Sequence, residues 1–164
     1  MRFQDKVCLV TGGASGIGKA ICQRFAAEGA NVLLIDIQDS GGTVAAEMST
    51  ASGTQVIFQK ADISVYAQVE AAVNKAVQTW GKIDVLVNNA AIMTFKSILD
   101  LSEAEWDKVM AVNMKSVFML CKLCLPHINS GSIVNISSVH YHETTPNVIP
   151  YAASKGAMEA FTRG

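Results

Sequence analysis

The sequence predicts an α/β fold in which helices cover both faces of a doubly wound parallel sheet, giving three layers. Short apolar segments alternate with amphipathic segments of helical period along the chain, which is typical of parallel strands joined by crossover helices. A glycine-rich turn follows the first strand, and polar residues such as Asp36 and Asn88 stand at strand ends. Ligands of such sheets bind beyond the carboxyl ends of the strands, so these residues mark the expected binding edge.

Five segments have the character of strands that are buried on both faces. Each is a short run dominated by apolar residues and bounded by turn-forming or polar ones. The predicted strands cover residues 6–11, 31–36, 54–59, 83–88 and 131–137. A doubly wound nucleotide-binding sheet usually has about six strands, so C-terminal strands are missing from this prediction.

Helices are predicted between the strands, and local signals mark several of their ends. They cover residues 16–28, 40–51, 64–80, 102–127 and 151–163. Gly29 suits the C-terminal end of the first helix. Ser102 and Glu105 have the spacing of a capping box at the start of the fourth helix, which carries Pro126 near its end and allows a bend. Pro150 suits the first turn of the last helix.

Composition indicates one ordinary globular domain over residues 1–164. Of the residues, 50% are hydrophobic and 16% charged, with a formal net charge of -1. No segment is basic enough for a nucleic-acid surface, and the N-terminus lacks the apolar core of a signal peptide. The most apolar later stretch, 117–125, is too short to span a bilayer and contains Lys122. We therefore expect a cytoplasmic protein with neither nucleic acid nor membrane as a partner.

The spacing of Cys121 and Cys124 admits a redox pair or a metal site. A redox pair normally stands at the N-terminus of a helix, where the thiol pKa is lowered. These cysteines instead lie within an apolar helical pattern. A zinc site needs further ligands at suitable spacing, and the sequence offers none. We favour a structural role as two small buried side chains, without a metal.

A phosphate-binding turn is predicted where the first strand meets the first helix. Gly12, Gly16 and Gly18 allow the backbone to turn tightly and to approach a pyrophosphate closely. The N-terminus of the following helix offers free N–H groups and a favourable dipole. A glycine-rich motif alone is weak evidence, but its position between a strand and a helix strengthens it.

Asp36, at the end of the second strand, favours NAD over NADP. A carboxylate there can accept hydrogen bonds from ribose hydroxyls and would repel a 2′-phosphate. Positions 13, 14 and 37 carry no Arg or Lys that could bind that phosphate. The alternative is a solvated residue at a strand end, which the nearby glycine turn makes less attractive.

Tyr151 and Lys155 are one helical turn apart and share a helix face. A phenol is a poor base at neutral pH, but an adjacent ammonium favours the charged phenolate. The hydroxyl of Ser138 could hold a substrate oxygen while Tyr151 exchanges its proton. Taken alone, the Tyr–Lys pair is an ordinary feature of a helix surface.

Together these residues resemble the short-chain dehydrogenase/reductase family, over essentially the whole chain. Matches to the family's motifs are Thr11-Gly12-x-x-x-Gly16-x-Gly18, Asp62-Ile63, Asn88-Asn89-Ala90, Asn113, Ser138, Tyr151 and Lys155. The resemblance implies a Rossmann fold and reversible hydride transfer between NAD and a secondary alcohol or ketone. It also implies a homo-oligomer, a dimer or a tetramer.

The resemblance assigns roles to individual residues. Tyr151 would be the general acid/base, Lys155 would activate it and bind the nicotinamide ribose, Ser138 would orient the substrate oxygen, and Asn113 would position a water. The expected cofactor-binding set is Gly12, Ser15, Gly16, Ile17, Gly18, Asp36, Ile37, Asp62, Ile63, Asn89, Ala90, Ala91, Tyr151 and Lys155.

The segment 139–150 would line the substrate entrance, where His140 and His142 either bind substrate hydroxyls or are simply solvated. The run Ser137-Ser138-Val139-His140 resembles sugar dehydrogenases of the family, which suggests a sugar or polyol substrate. Ala91 stands where the family pattern has glycine, at a cost of about 1 kcal/mol if that position needs a positive φ.

The family continues beyond the Tyr–Lys helix with a sixth strand, a mobile substrate loop and usually a seventh strand. We expect this sequence to be part of a longer chain. The alternative is a catalytically weak or inactive dinucleotide-binding or interaction protein, in which the fifth strand is an open edge and the substrate pocket lacks a wall.

Overall fold

The computed structural model describes residues 1–164 and contains one parallel sheet between two layers of helices. The strands are β1 (Val7–Thr11), β2 (Asn31–Asp36), β3 (Val56–Lys60), β4 (Val85–Asn88) and β5 (Ser132–Asn135). The helices are α1 (Gly16–Ala27), α2 (Gly41–Ser52), α3 (Tyr66–Trp80), α4 (Glu103–Met110), α5 (Ser116–Cys124) and α6 (Ile149–Arg163). The turn Ala111–Lys115 is π-helical, and the turns Leu125–His127 and Val139–Tyr141 are 3-10 helical.

The strand order is β3-β2-β1-β4-β5, and every pair is parallel. This confirms the predicted doubly wound sheet. Chain connections run outward in opposite directions from β1 and β4, so the carboxyl ends of these two strands form the point where strand order reverses. Such a point leaves a crevice between diverging connections, and ligands of these folds occupy it.

The start of α3 shifts from its predicted position because local hydrogen bonds compete with the helix. The helix predicted from residue 64 begins at Tyr66, since the Asp62 carboxylate accepts hydrogen bonds from the backbone N–H and hydroxyl of Ser64. The fourth predicted helix contains the π-helical turn at residues 111–115, which divides it into α4 and α5. Its predicted capping box is present, with Ser102 and Glu105 bonded reciprocally.

Alternate residues of the central strands pack into two hydrophobic clusters, one on each face of the sheet. Leu9 and Leu33 face the cluster beneath α3 and α5, whereas Val10 and Leu34 face the cluster beneath α1 and α2. Because both faces are covered, the strands are apolar along their whole length rather than alternating.

Cys121 and Cys124 lie within the first of these clusters, as the structural interpretation predicted. Burial raises the pKa of the Cys124 thiol to about 12, and the pKa of Cys121 is also raised by burial. Thiols held protonated in this way are poor nucleophiles and poor metal ligands at neutral pH.

The helical run Glu103–His127 has 25 residues and contains an 18-residue window with a mean hydropathy of 1.4, enough in length and composition to cross a membrane. The shorter stretch considered in the sequence is therefore only part of a longer apolar run. Val109, Val117 and Leu120 of this run are buried within the fold. Core helices of globular domains meet the same criteria, so the run is weak evidence for a membrane span.

The Thr11 hydroxyl joins the ends of β1 and β4 at the reversal point. It accepts hydrogen bonds from the backbone N–H groups of Asn89, at 3.0 Å, and Ala90, at 3.1 Å, and lies 3.4 Å from the carbonyl oxygen of Val87. The Asn89 side chain donates in return to the Thr11 carbonyl at 2.9 Å. One hydroxyl thus fixes the start of the loop that follows β4.

We expect Thr11→Val, which keeps the shape of the side chain, to lower the free energy of unfolding by about 2 kcal/mol. The loss arises because two N–H groups lose their acceptor in a partly buried site. Urea unfolding measures it. Thr11→Ser retains the hydroxyl and should be clearly less damaging, so equal losses in the two variants would contradict the role given to the hydroxyl.

Candidate active site

A cleft of about 560 Å³ opens where the carboxyl ends of β1 to β4 meet. It gathers most of the residues that the sequence proposed for cofactor binding, from segments far apart in the chain. Those lining it are Gly12, Ser15, Gly16, Ile17, Asp36, Ile37, Asp62, Ile63, Asn89, Ala90 and Ala91. Gly18, Tyr151 and Lys155 are outside its lining.

The glycine turn has the backbone geometry that its sequence suggested. Gly12 and Gly16 adopt positive φ, at 68° and 52°, which is costly for other residues. A Cβ at Gly18 would lie 2.0 Å from the Gly12 carbonyl oxygen, so glycine is required there for close packing. A Cβ at Gly16 would meet nothing within 4 Å, which leaves the approach to the turn open.

The N-terminus of α1 faces this turn without a side-chain cap. Ser15 is the N-cap residue, and its hydroxyl makes no capping hydrogen bond. The first N–H groups of the helix are therefore available to an anion, and the helix dipole favours negative charge at that place. These features fit a pyrophosphate group.

Asp36 is buried and braces the glycine turn. Its side chain accepts hydrogen bonds at 3.0 Å from the backbone N–H groups of Ala14 and Gln38, one on each carboxylate oxygen. Only 7% of the residue is exposed, so the solvated strand-end interpretation does not describe it. Each oxygen keeps a lone pair, and the residue lines the cleft.

Apolar side chains line the cleft on either side of these polar groups. Ile17 and Ile37 are 66% and 59% exposed, so much of each aliphatic side chain is open to solvent. Ile63 contributes a third apolar surface and is itself buried. A flat, apolar ligand group would cover Ile17 and Ile37, gaining the free energy that their exposure costs.

Asn113 occupies the π-helical turn, and its side chain connects the loop after β4 with α6. It is fully buried, its Oδ1 accepts from the Ile92 N–H at 2.8 Å, and its Nδ2 donates to the Ile92 carbonyl and to Ser154 Oγ. Ser154 in turn donates to the Tyr151 carbonyl at 2.7 Å. Both amide protons are thus committed to the protein, so the side chain acts as a brace.

Lys155 extends from the same helix into the interior and is 2% exposed. Its Nζ donates to the Ile136 carbonyl at 2.6 Å and lies 5.5 Å from the centre of the Tyr151 ring. No carboxylate lies within 4.0 Å of this ammonium. Burial lowers the pKa of Lys155 below its ordinary value because the charged form loses hydration.

Ser138 caps the 3-10 turn Val139–Tyr141, which lies beside the start of α6. Its Oγ accepts from the His140 N–H at 3.2 Å. The His140 ring stands edge-on to the Tyr151 ring, with centroids 5.8 Å apart, and its Nδ1 lies 3.2 Å from the Thr144 hydroxyl. His142 lies farther out, beside Tyr141. The structure thus brings the Ser138 turn to the Tyr151–Lys155 helix.

Ala91 lines the cleft without the strain considered from the sequence. Asp5 and Asn147 are the non-glycine residues with positive φ, so the backbone at Ala91 lies outside the left-handed region. The cost expected for an alanine at positive φ therefore does not arise.

Two neighbours of the site were missed in the sequence. Ser154 links Asn113 to α6. Its position between Tyr151 and Lys155 is the sequence feature that could have indicated this role. Lys108 lines the cleft from α4, one helical turn before Val112, which also lines it. Nothing in the local sequence marks Lys108, because the cleft wall it joins is built from distant strands.

The sequence of the chain matches a known protein family. The family model described as short chain dehydrogenase matches residues 6–164. The chain belongs to the short-chain dehydrogenase family.

Individual relatives agree with this assignment. The chain is 38% identical over 163 residues to an uncharacterized oxidoreductase of Thermotoga maritima, covering 98% of this chain and 64% of that protein. It is 36% identical over 165 residues to a cyclopentanol dehydrogenase of Comamonas sp., covering 99% and 66%. A solved mutant of a Serratia marcescens short-chain dehydrogenase/reductase superposes with a TM-score of 0.94 at 36% identity, covering 98% and 67%. The chain thus spans about two thirds of the length of these relatives.

The buried ammonium of Lys155 should make stability depend on pH. Burial lowers the pKa of Lys155 in the folded state. At pH values between that lowered pKa and 10.5, the unfolded chain therefore binds a proton that the folded chain lacks. The cost of burying the charge is fully present below the folded-state pKa and falls as pH rises toward 10.5. The stability advantage of Lys155→Met over the wild type should therefore shrink as the pH rises from the folded-state pKa toward 10.5.

Chemical unfolding across this pH range measures the difference between the variant and the wild type. Lys122→Met, which replaces an exposed lysine of α5, is the matched control and should give a difference independent of pH. A pH-independent difference for Lys155→Met as well would contradict the assignment of the slope to Lys155.

Proposed function

We propose that this chain carries the nucleotide-binding and proton-transfer residues of an NAD-dependent oxidoreductase that acts on a secondary alcohol or ketone. The supporting observation is that the glycine turn and Asp36 line the cleft at the carboxyl ends of the strands, while Lys155 of α6 bonds the carbonyl of Ile136, just after β5. Membership of the family, whose members use nicotinamide dinucleotides, and similarity to a cyclopentanol dehydrogenase support the same reaction class.

The cofactor would lie across the reversal point of the sheet. The glycine turn and the N-terminus of α1 would hold its pyrophosphate, and the free lone pairs of Asp36 would accept hydrogen bonds from ribose hydroxyls. Ile17, Ile37 and Ile63 would cover apolar ring surface, beside Asp62. The Asp36 charge favours NAD, since it would repel a 2′-phosphate.

The chemistry that the chain itself supplies is proton transfer and orientation. The bound nicotinamide provides the group that accepts or donates the hydride. Tyr151 would exchange a proton with the substrate oxygen, and the ammonium of Lys155, 5.5 Å from the centre of the Tyr151 ring, would attract negative charge that develops on the reacting oxygens. Ser138 Oγ accepts from the His140 N–H, which leaves the hydroxyl proton of Ser138 free to bind the substrate oxygen.

The brace formed by Asn113 and Ser154 would keep the first turn of α6 in register with the loop after β4. This matters because general acid/base catalysis requires the proton donor within hydrogen-bonding reach of the reacting oxygen. Asn113 would also position a water. Because both protons of its side-chain amide are bonded within the protein, an acceptor oxygen of Asn113 would hold that water.

The segment at the entrance favours a hydroxylated substrate. Its polar residues, which lie in the 3-10 turn or between that turn and α6, are His140, His142, Glu143, Thr144, Thr145 and Asn147. We propose a polyol or sugar as the substrate class. Phe118 and Leu125 are about half exposed, at 48% and 55%, and such apolar surface would suit a homo-oligomer, a dimer or a tetramer.

The central test compares Tyr151→Phe with the wild type. We expect NADH formation with a panel of secondary alcohols to fall by about 100-fold or more, because the variant lacks the exchangeable proton. Binding of NAD, measured by calorimetry, should be nearly unchanged. Tyr66→Phe, which alters an exposed tyrosine at the start of α3, is the control and should keep full activity.

The outcomes separate the parts of the proposal. Equal rates for Tyr151→Phe and the wild type would contradict the role of Tyr151. If the wild-type chain binds NAD but oxidises no alcohol, the proposed turnover by this chain is refuted. The alternative, a catalytically inactive dinucleotide-binding protein, would then describe the chain. Failure to bind NAD would refute the cofactor assignment.

Asp36→Asn tests cofactor choice separately. Removing the negative charge should improve the affinity for NADP relative to NAD by about tenfold, while Asn can still accept one of the two backbone hydrogen bonds. Calorimetric titration with both dinucleotides measures the ratio. Asp39→Asn, three positions along and paired with Lys60 outside the cleft lining, should leave the ratio unchanged. An unchanged ratio in Asp36→Asn would contradict the proposed discrimination.

A further inference from the structure

We propose that Lys108 is an additional cofactor-binding residue, whose ammonium attracts the phosphate groups of the dinucleotide from the α4 wall of the cleft. This inference rests on the proposed function, since it requires that the cleft bind a dinucleotide. Lys108 is the one cationic side chain that lines the cleft, whereas Asp36 and Asp62 contribute two carboxylates. Without Lys108 the charged side chains of the lining would all repel an anionic ligand.

The carboxylates of the cleft already have partners within the protein. Asp36 accepts from the N–H groups of Ala14 and Gln38, and Asp62 accepts from the N–H and hydroxyl of Ser64. These bonds organise the cleft walls and neutralise little of the carboxylate charge. The electrostatic attraction for an anion must therefore come from the N-terminus of α1 and from a cation on another wall.

Lys108, in contrast, has an uncommitted ammonium. It is exposed, and its Nζ forms neither a hydrogen bond nor an ion pair with any other residue. The one acid at helical spacing, Glu105, is bound by Lys96 at 2.6 Å and by Ser102. The positions one turn away on the other sides, 104, 111 and 112, are apolar.

The location of Lys108 complements that of the glycine turn. Lys108 and Val112 line the cleft from the helical run after β4, while Gly12, Ser15 and Gly16 line it from the loop after β1. A lysine stem is long and flexible, so its ammonium can move toward a ligand that the rigid turn has positioned. Because the cation is uncommitted, this movement breaks no bond within the protein.

Calorimetric titrations of NAD, ADP and adenosine test this inference in wild type, Lys108→Gln and Lys108→Glu. Coulomb's law for one cation facing two phosphate charges in a water-exposed cleft predicts about a three- to tenfold loss of NAD and ADP affinity in Lys108→Gln. The loss should be larger in Lys108→Glu and should shrink between about 0.05 M and about 0.5 M KCl, because salt screens exposed charges. Adenosine, which has no phosphate, should bind equally to all three proteins.

Lys115→Gln is the matched control, since it removes an exposed lysine of the same helical run that is outside the cleft lining. It should leave all affinities unchanged. The inference is overturned if Lys108→Gln and Lys108→Glu bind NAD and ADP as the wild type does, or if adenosine binding falls as much as ADP binding. If the wild type binds NAD poorly or not at all, the proposed function fails, which the wild-type titration reports independently of the variants.

Discussion

The junction between β1 and β4 is the constraint on which the rest of the site depends. The strand order reverses there, so the connections after the two strands diverge and leave room for a ligand. Thr11 and Asn89 hold the two strand ends together through side-chain and backbone hydrogen bonds. The glycine turn and the loop after β4 therefore start from fixed positions on either side of the cleft. A looser junction would displace both walls at once.

A second connection joins the cleft to the proton-transfer residues. The π-helical turn brings Asn113 into the interior, where its amide bonds both backbone groups of Ile92 and the hydroxyl of Ser154. Such turns are frequent at functional sites, since an inserted residue redirects a side chain that a regular helix would turn elsewhere. The network is buried and has its donors satisfied, so it can hold α6 rigidly against the loop. Lys155, by contrast, carries a buried charge without a carboxylate partner, which lowers stability and is typical of residues retained for function.

The sequence predicted which polar residues and glycines stand at the strand ends, because local pattern marks where a strand ends. The glycine turn, Asp36 and the loop after β4 occupy strand ends, and parallel strands carry their ends to one edge. The sequence was less informative about how each of these residues acts. The bond that the Ala14 N–H donates to Asp36 and the bond that Asn113 donates to Ser154 join positions distant in the chain, and no periodic pattern encodes them. Lys108 was missed for the same reason, because an exposed helical lysine acquires meaning only when other segments build a cleft beside it.

The sequence by itself determined the alternation of strands and helices, the capping box at Ser102 and the residues able to form a glycine turn. These features depend on side-chain periodicity and on backbone freedom, both of which are local properties. Only the tertiary structure decided which strands are neighbours, which carboxylate oxygens are engaged and which cation remains free. Those outcomes depend on contacts between segments that are far apart in the chain, and burial sets their strength by removing the competing hydrogen bonds and screening of water.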